Sequence, residues 1–174
     1  MKNILITGQP GVGKTELIRK LLLVFKEFNP AGFITSEIIE NGEKTGFGIE
    51  NLNGDSRVLA HITMKSKHSM GKYKIDIKGF EDFLQEMMLK EKKTGFYLMD
   101  GIGKLECESK KFSKLIVDLL DGDKLVVATT PDKGTGLISE IKKRDDVQIV
   151  ELTEGNLELK LKQLTLAMRD LLLE

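Results

Sequence analysis

The feature that most constrains this chain is an eight-residue loop, Gly8-Gln9-Pro10-Gly11-Val12-Gly13-Lys14-Thr15, placed directly after the apolar run Asn3-Ile4-Leu5-Ile6-Thr7. It matches G-x-x-x-x-G-K-[ST], a pattern in which every fixed position has a physical reason. Glycines reach φ > 0 and lack the Cβ atoms that would bar a closely approaching anion. Successive backbone N–H groups then turn into one concavity, and the helix that follows adds its positive end. Lys14 places an ammonium against the β- and γ-phosphates of a nucleotide. The Thr15 hydroxyl completes the oxygen shell of Mg2+, the expected cofactor. A strand before the loop and an amphipathic helix after it are the context this mechanism requires. The loop therefore predicts a nucleoside triphosphate as ligand.

The rest of the chain predicts an α/β fold. Apolar runs at Asn3–Thr7, Gly32–Ser36, Phe47–Leu52, Phe96–Asp100, Leu125–Thr130 and Val147–Leu152 read as strands. Between them lie stripes at helical spacing. Leu17, Leu21, Val24, Phe25 and Phe28 form the first, and Phe80, Phe83, Leu84 and Met87 the second. Phe112, Leu115, Ile116, Leu119 and Leu120 form the third, and Leu157, Leu161, Leu164, Met168 and Leu171 the last. Strands alternating with helices give a mostly parallel sheet covered on both faces. Ser56–His61 is expected to pair with Phe47–Leu52 through Asn53-Gly54-Asp55 as an antiparallel hairpin inserted at the edge. Residues 63–79 are basic, polar and weakly periodic, and read as a mobile loop near the site. A single domain over residues 1–174 follows from the length.

Charge and cysteine usage narrow the classes further. Lysine plus arginine and aspartate plus glutamate are both 27, so no bulk charge draws the chain to nucleic acid or a membrane surface. No apolar run nears the length of a membrane span, and the first one breaks too early for a signal peptide. The lone Cys107 cannot form an internal disulfide, and a cytoplasmic, monomeric protein is expected. Cys107 also lacks the partners of a catalytic thiol. His61 and His68 have no third ligand at metal spacing. Tyr97 belongs to a core strand, while Tyr73, in the basic segment, is a candidate to stack on a base.

A phosphate loop needs a second carboxylate, at the end of a neighbouring strand, to hold Mg2+. Asp100, which ends Phe96-Tyr97-Leu98-Met99-Asp100, is that candidate, so Thr15 and Asp100 form the expected metal set. Thr129 and Thr130, ending another buried strand, are expected near the γ-phosphate or the attacking water.

Taken with the loop, four further segments carry a family resemblance. They are Gly32-Phe33-Ile34-Thr35-Ser36-Glu37, Thr45-Gly46-Phe47, Gly71-Lys72-Tyr73-Lys74-Ile75-Asp76 and Asp100-Gly101-Ile102-Gly103-Lys104-Leu105-Glu106. In register, they resemble the THEP-type nucleoside-triphosphatase family, which includes thermophile and human cancer-related nucleoside triphosphatases. The resemblance implies slow, Mg2+-dependent hydrolysis of ATP, GTP and other triphosphates with broad base tolerance. It also implies that the turn Asp100, Gly101, Ile102, Gly103, Lys104, Leu105, Glu106 binds on the γ-phosphate side. The family usually carries a glutamate where this chain has Gly101, a loss that removes the obvious group to orient or deprotonate water. A positioned general base contributes about 10²–10⁴ in rate. Glu106, Glu37 and Asp76 are the candidates to replace it. The family's arginine after the second strand region is Lys44 here, which keeps charge without the planar fork. If a cation beyond Lys14 steadies the transition state, Arg144 or Lys104 is expected to supply it.

Lys14, Asp100 and Glu106 are thus the expected catalytic residues. The rival readings are a nucleotide-dependent switch with little turnover and a small-molecule kinase. With only Arg19, Arg57, Arg144 and Arg169 in the chain, an arginine-rich lid of the kinase kind is absent.

Overall fold

The computed structural model describes residues 2–87, 89–90 and 93–174. In chain order the elements are β1 (Asn3–Gly8), α1 (Lys14–Phe25), β2 (Pro30–Glu40), β3 (Glu43–Asn51), β4 (Ser56–His61), β5 (Ser69–Met70), β6 (Tyr73–Ile75) and α2 (Ile77–Glu86). There follow β7 (Phe96–Asp100), α3 (Lys110–Asp121), β8 (Val126–Pro131), α4 (Leu137–Lys142), β9 (Val147–Glu151) and α5 (Leu157–Leu173). Among the described residues nine strands form one sheet in the order β5-β6-β4-β3-β2-β7-β8-β1-β9. The pairs β2–β7, β7–β8, β8–β1 and β1–β9 are parallel, and the remaining pairs are antiparallel.

Side chains along a strand alternate between faces, so a strand covered on both sides is apolar on both. β1 is so over Ile4, Leu5 and Ile6, between the buried polar Asn3 and Thr7. Ile4 and Ile6 enter the core under α1 and α5, with Leu17, Leu21, Phe25, Leu164 and Met168. Leu5 enters the other core, under α2, α3 and α4, with Phe80, Phe112, Ile116, Ile138 and Ile141. Burying one such side chain contributes roughly 1.5–3 kcal/mol, far more than the tenths of a kcal/mol that separate helix propensities, so these faces decide where the helices sit. No helix among the described residues is long and apolar enough to cross a membrane.

The hairpin of β3 and β4 forms as expected, with Phe47 opposite Ala60, but β6 and β5 lie beyond it, so β4 is not the edge. Three further expectations are corrected. β2 runs past Ser36 to Glu40 and turns back into β3 through Asn41-Gly42, both at positive φ (53° and 78°), which is the signature of a tight hairpin turn. The expected loop at residues 63–79 instead contains the β5–β6 hairpin and the start of α2, capped by Asp76, whose Oδ1 accepts from Gly79 N at 2.9 Å. Val24, assigned to a core stripe, is 44% exposed. α4 was not expected at all; six residues are too few to show a helical period.

For function the decisive consequence is at one end of the sheet. Ligands of such sheets bind outside the carboxyl ends of the parallel strands. Here that end gathers Gly8, Asp100 and Thr129–Pro131.

Candidate active site at the phosphate loop

Gly8 ends β1 opposite Pro131. A Cβ there would lie 2.5 Å from Leu152 O, so the approach of the β9–α5 segment demands glycine. Gly13, at φ 108°, turns the chain into α1, and a side chain at that angle is strained. The next two residues supply the chemistry. Lys14 Nζ donates to Gly8 O at 2.5 Å, and Thr15 Oγ1 donates to Asp100 Oδ2 at 2.5 Å.

Asp100 is 7% exposed and held from three directions. Besides Thr15, Thr129 Oγ1 donates to its Oδ1 at 2.7 Å, and Thr35 Oγ1 donates to its main-chain oxygen at 2.9 Å. Its carboxylate is therefore aimed at the head of α1 by hydroxyls from β8 and α1. Burial lowers the pKa of Lys14; Asp132 and Asp100 oppose that, and the charge of Lys142 adds to it.

The turn after Asp100 divides its side chains between two roles. Ile102 N donates to Thr129 O at 2.8 Å, tying the turn to β8. Ile102 and Leu105, expected on the nucleotide side, are buried in the core beneath α3 instead. Lys104 is exposed at the rim of a cavity of about 830 Å³ that it shares with Cys107, Lys133 and Thr135. Glu106 is buried, with Oε2 2.7 Å from the place a Cβ on Gly103 would take, so Gly103 makes room for it. Burial pushes the Glu106 carboxyl up to about 7, and the negative charge of Asp100 raises it too. Hydrogen bonds from its own backbone N–H and that of Gly103 oppose the rise.

Several expected candidates lie elsewhere. Glu37 is exposed and pairs with Lys44 at 3.1 Å, and Asp76 is spent on capping α2. Arg144 is bound to Asp146 (2.9 Å) and Asp121 (2.8 Å), which hold it protonated. Asp146 O accepts from Asn3 N at the start of β1, so Arg144 stands at the opposite end of the sheet from the loop. Tyr73 packs edge-on against Phe47, with centroids 5.2 Å apart, and donates to Lys44 O at 3.4 Å, so its ring serves the antiparallel extension. His61 bonds Glu40 at 2.7 Å and Thr63 at 2.8 Å. Among the described residues no three His, Cys, Asp or Glu side chains gather as a metal site. Burial pushes the half-buried Cys107 thiol up to about 11, which leaves it inert at neutral pH. Thr129 and Thr130 alternate across the strand. Thr129 reaches Asp100, while the Thr130 hydroxyl is buried without a partner among the described residues.

Sequence reasoning missed Lys142 and the contact that Thr35 makes with Asp100. It also missed a cavity of about 500 Å³ beside the loop, where Gln9, Pro10 and Val12 of the loop meet Asp132, Glu151 and Thr153. No local pattern marked Lys142, Asp132, Glu151 or Thr153, because strand order alone brings them to the loop.

Comparison with known proteins agrees with this geometry. The model of a family described as NTPase matches residues 3–172. Nucleoside-triphosphatase THEP1 of Thermotoga sp. (strain RQ2) is 38% identical over 154 residues, covering 88% of this chain and 87% of that protein. The crystal structure of THEP1 from Aquifex aeolicus superposes with a TM-score of 0.77 at 30% identity, covering 93% of this chain and 96% of that one. The solution structure of a human cancer-related nucleoside triphosphatase gives 0.80 at 27% identity, covering 98% of both. With the sheet, the phosphate loop and a family match over nearly its full length, the chain belongs to the THEP1-type NTPase family.

Proposed function

We propose that this protein hydrolyses nucleoside triphosphates to the diphosphate and phosphate at the Gly8–Thr15 loop, with Mg2+ as cofactor and little preference among bases. The observation that carries the reading is the Thr15–Asp100 contact of 2.5 Å directly beside Lys14. A hydroxyl and a carboxylate are the hard oxygen donors that Mg2+ takes when phosphates and waters complete its shell, so these residues fit the ion. When bound, the ion neutralises charge on the phosphate oxygens.

The chain's own groups do the rest. Loop amides and Lys14 bind the phosphates, and Thr129 keeps Asp100 aimed. Water attacks the γ-phosphorus, the bond from that phosphorus to the β–γ bridging oxygen breaks, and the water's proton passes to Glu106. A proton acceptor works best when its pKa lies near the working pH, and burial puts Glu106 there. The 500 Å³ cavity next to the loop is the place for the nucleoside. Among the described residues its lining has no aromatic and no basic side chain, which supports tolerance of different bases. Balanced charge and a single cysteine support a cytoplasmic enzyme whose partner is the free nucleotide.

Phosphate release from ATP, GTP, CTP and UTP, with and without Mg2+, tests this reading. The four rates are expected within about tenfold of one another, because no aromatic or basic side chain among the described lining residues favours one base. They should fall to background without the ion. Release that needs an added hydroxyl acceptor would favour a kinase instead.

A further inference from the structure

Lys142 ends α4 and reaches the carboxyl end of the sheet. Its ammonium donates to Pro131 O at 2.5 Å and to Asp132 O at 3.1 Å, and lies 3.5 Å from Thr7 Oγ1. Pro131 is the register partner of Gly8, whose carbonyl holds the Lys14 ammonium at 2.5 Å. Two ammonium groups therefore occupy the two members of the last pair in the β1–β8 ladder.

Neither group has an ion pair among the described residues. Both are drawn partly out of water, and each feels the carboxylate of Asp132 at longer range. Asp132 is exposed, however, and its Oδ1 accepts from Lys133 N at 3.0 Å. Main-chain carbonyls are the only hydrogen-bond acceptors within 3.2 Å of the Lys142 ammonium among the described residues. Two like charges brought together in this way repel each other until an anion joins them. The loop that holds Lys14 has the glycine turns and helix start that receive such an anion.

We propose that Lys142 is a second phosphate-binding cation: when a triphosphate enters, its ammonium leaves the Pro131 and Asp132 carbonyls and takes an oxygen of the terminal phosphate beside Lys14. This rests on the reading of Gly8–Thr15 as the triphosphate site. A lysine suits the role because its flexible stem and compact charge allow the exchange of one set of acceptors for another. It also supplies the cation that Arg144, at the far end of the sheet, does not.

The test compares Lys142→Met, Lys142→Arg and Lys14→Ala in the full chain. Phosphate release, the affinities for MgATP and MgADP, and the thermal midpoint are measured for each. Lys142→Met is expected to lower turnover on the order of 10²-fold, the cost of one missing transition-state donor. It should weaken ATP binding about tenfold more than ADP binding, the difference of one charged contact. Lys142→Arg should restore most of both. An unchanged ATP-to-ADP affinity ratio in Lys142→Met overturns the proposal. If the loss of turnover comes with equal weakening of both nucleotides and a lower midpoint, Lys142 only tethers the Asp132 segment, and the proposal is again overturned. Normal binding and turnover in Lys14→Ala would instead remove the site itself.

Discussion

The Thr129 hydroxyl fills the space that a Cβ on Gly101 would need, and the same hydroxyl donates to Asp100 Oδ1 at 2.7 Å. The two positions are therefore set together. Where the family resemblance implies glutamate, this backbone has a place only for glycine, because the main-chain oxygen of Thr129, 2.9 Å from that Cβ, stands in the way as well.

Restoring the glutamate should therefore harm the enzyme. Gly101→Glu is expected to destabilise by about 1–3 kcal/mol, as overpacking does, and to lower phosphate release by disturbing Asp100. Adding Thr129→Ala removes the clashing hydroxyl and should recover part of the stability. Urea denaturation with parallel rate measurements checks this. A more active Gly101→Glu of normal stability would mean that the missing glutamate alone limits the rate.

Glu106 ties stability to pH. Its carboxyl is raised from 4.5 to about 7 in the folded chain, so the folded state holds the proton more tightly than the unfolded one. Stability from this group is fully present below pH 4.5 and declines as pH rises toward 7. Glu106→Gln keeps a neutral side chain throughout, so it should gain on the wild type between pH 5 and 8, by on the order of 3 kcal/mol. Turnover runs the other way. The wild-type rate should rise with pH through about 7 as the carboxylate forms, and Glu106→Gln should lose on the order of 10²-fold and flatten that profile. A variant with the wild-type pH–rate profile would exclude Glu106 as proton acceptor.

How much of this was readable from the sequence depends on what each residue answers to. The places of the phosphate loop and Asp100 in the fold are readable because the pattern fixes residue types at fixed local positions, at the end of a strand or the start of a helix. Thr129 was placed correctly at the strand end, but its partner was not evident, since only the β7–β8 register aims it at Asp100. Asp76 looked like a site acid because a carboxylate near a basic segment and an N-cap are the same residue type; the turn at Gly79 decides between them. β3 starts at Glu43, ahead of the expected Phe47; Glu43–Gly46 lacks alternation, while Asn41-Gly42 carries a hairpin signal. Lys142 had no signal, since its place beside the loop arises from α4 crossing the sheet.

Asp100→Asn keeps the shape of the side chain and one of its two accepted hydroxyl bonds, turns the other into a bond that the amide donates, and removes the charge that a divalent ion needs. The concentration of free Mg2+ giving half-maximal phosphate release is expected to rise on the order of tenfold or more, as hard cations rely on carboxylate charge. The thermal midpoint without nucleotide should change little by comparison. An unshifted Mg2+ titration would take Asp100 out of the metal set.

On the proposed reading the Gly8–Thr15 loop, through Lys14, receives the triphosphate. Phosphate release from MgATP by Lys14→Ala tests it most directly. With the fold verified by circular dichroism, release is expected to fall on the order of 10²-fold or more; release at the wild-type rate would contradict the assignment of Lys14 to the phosphate site.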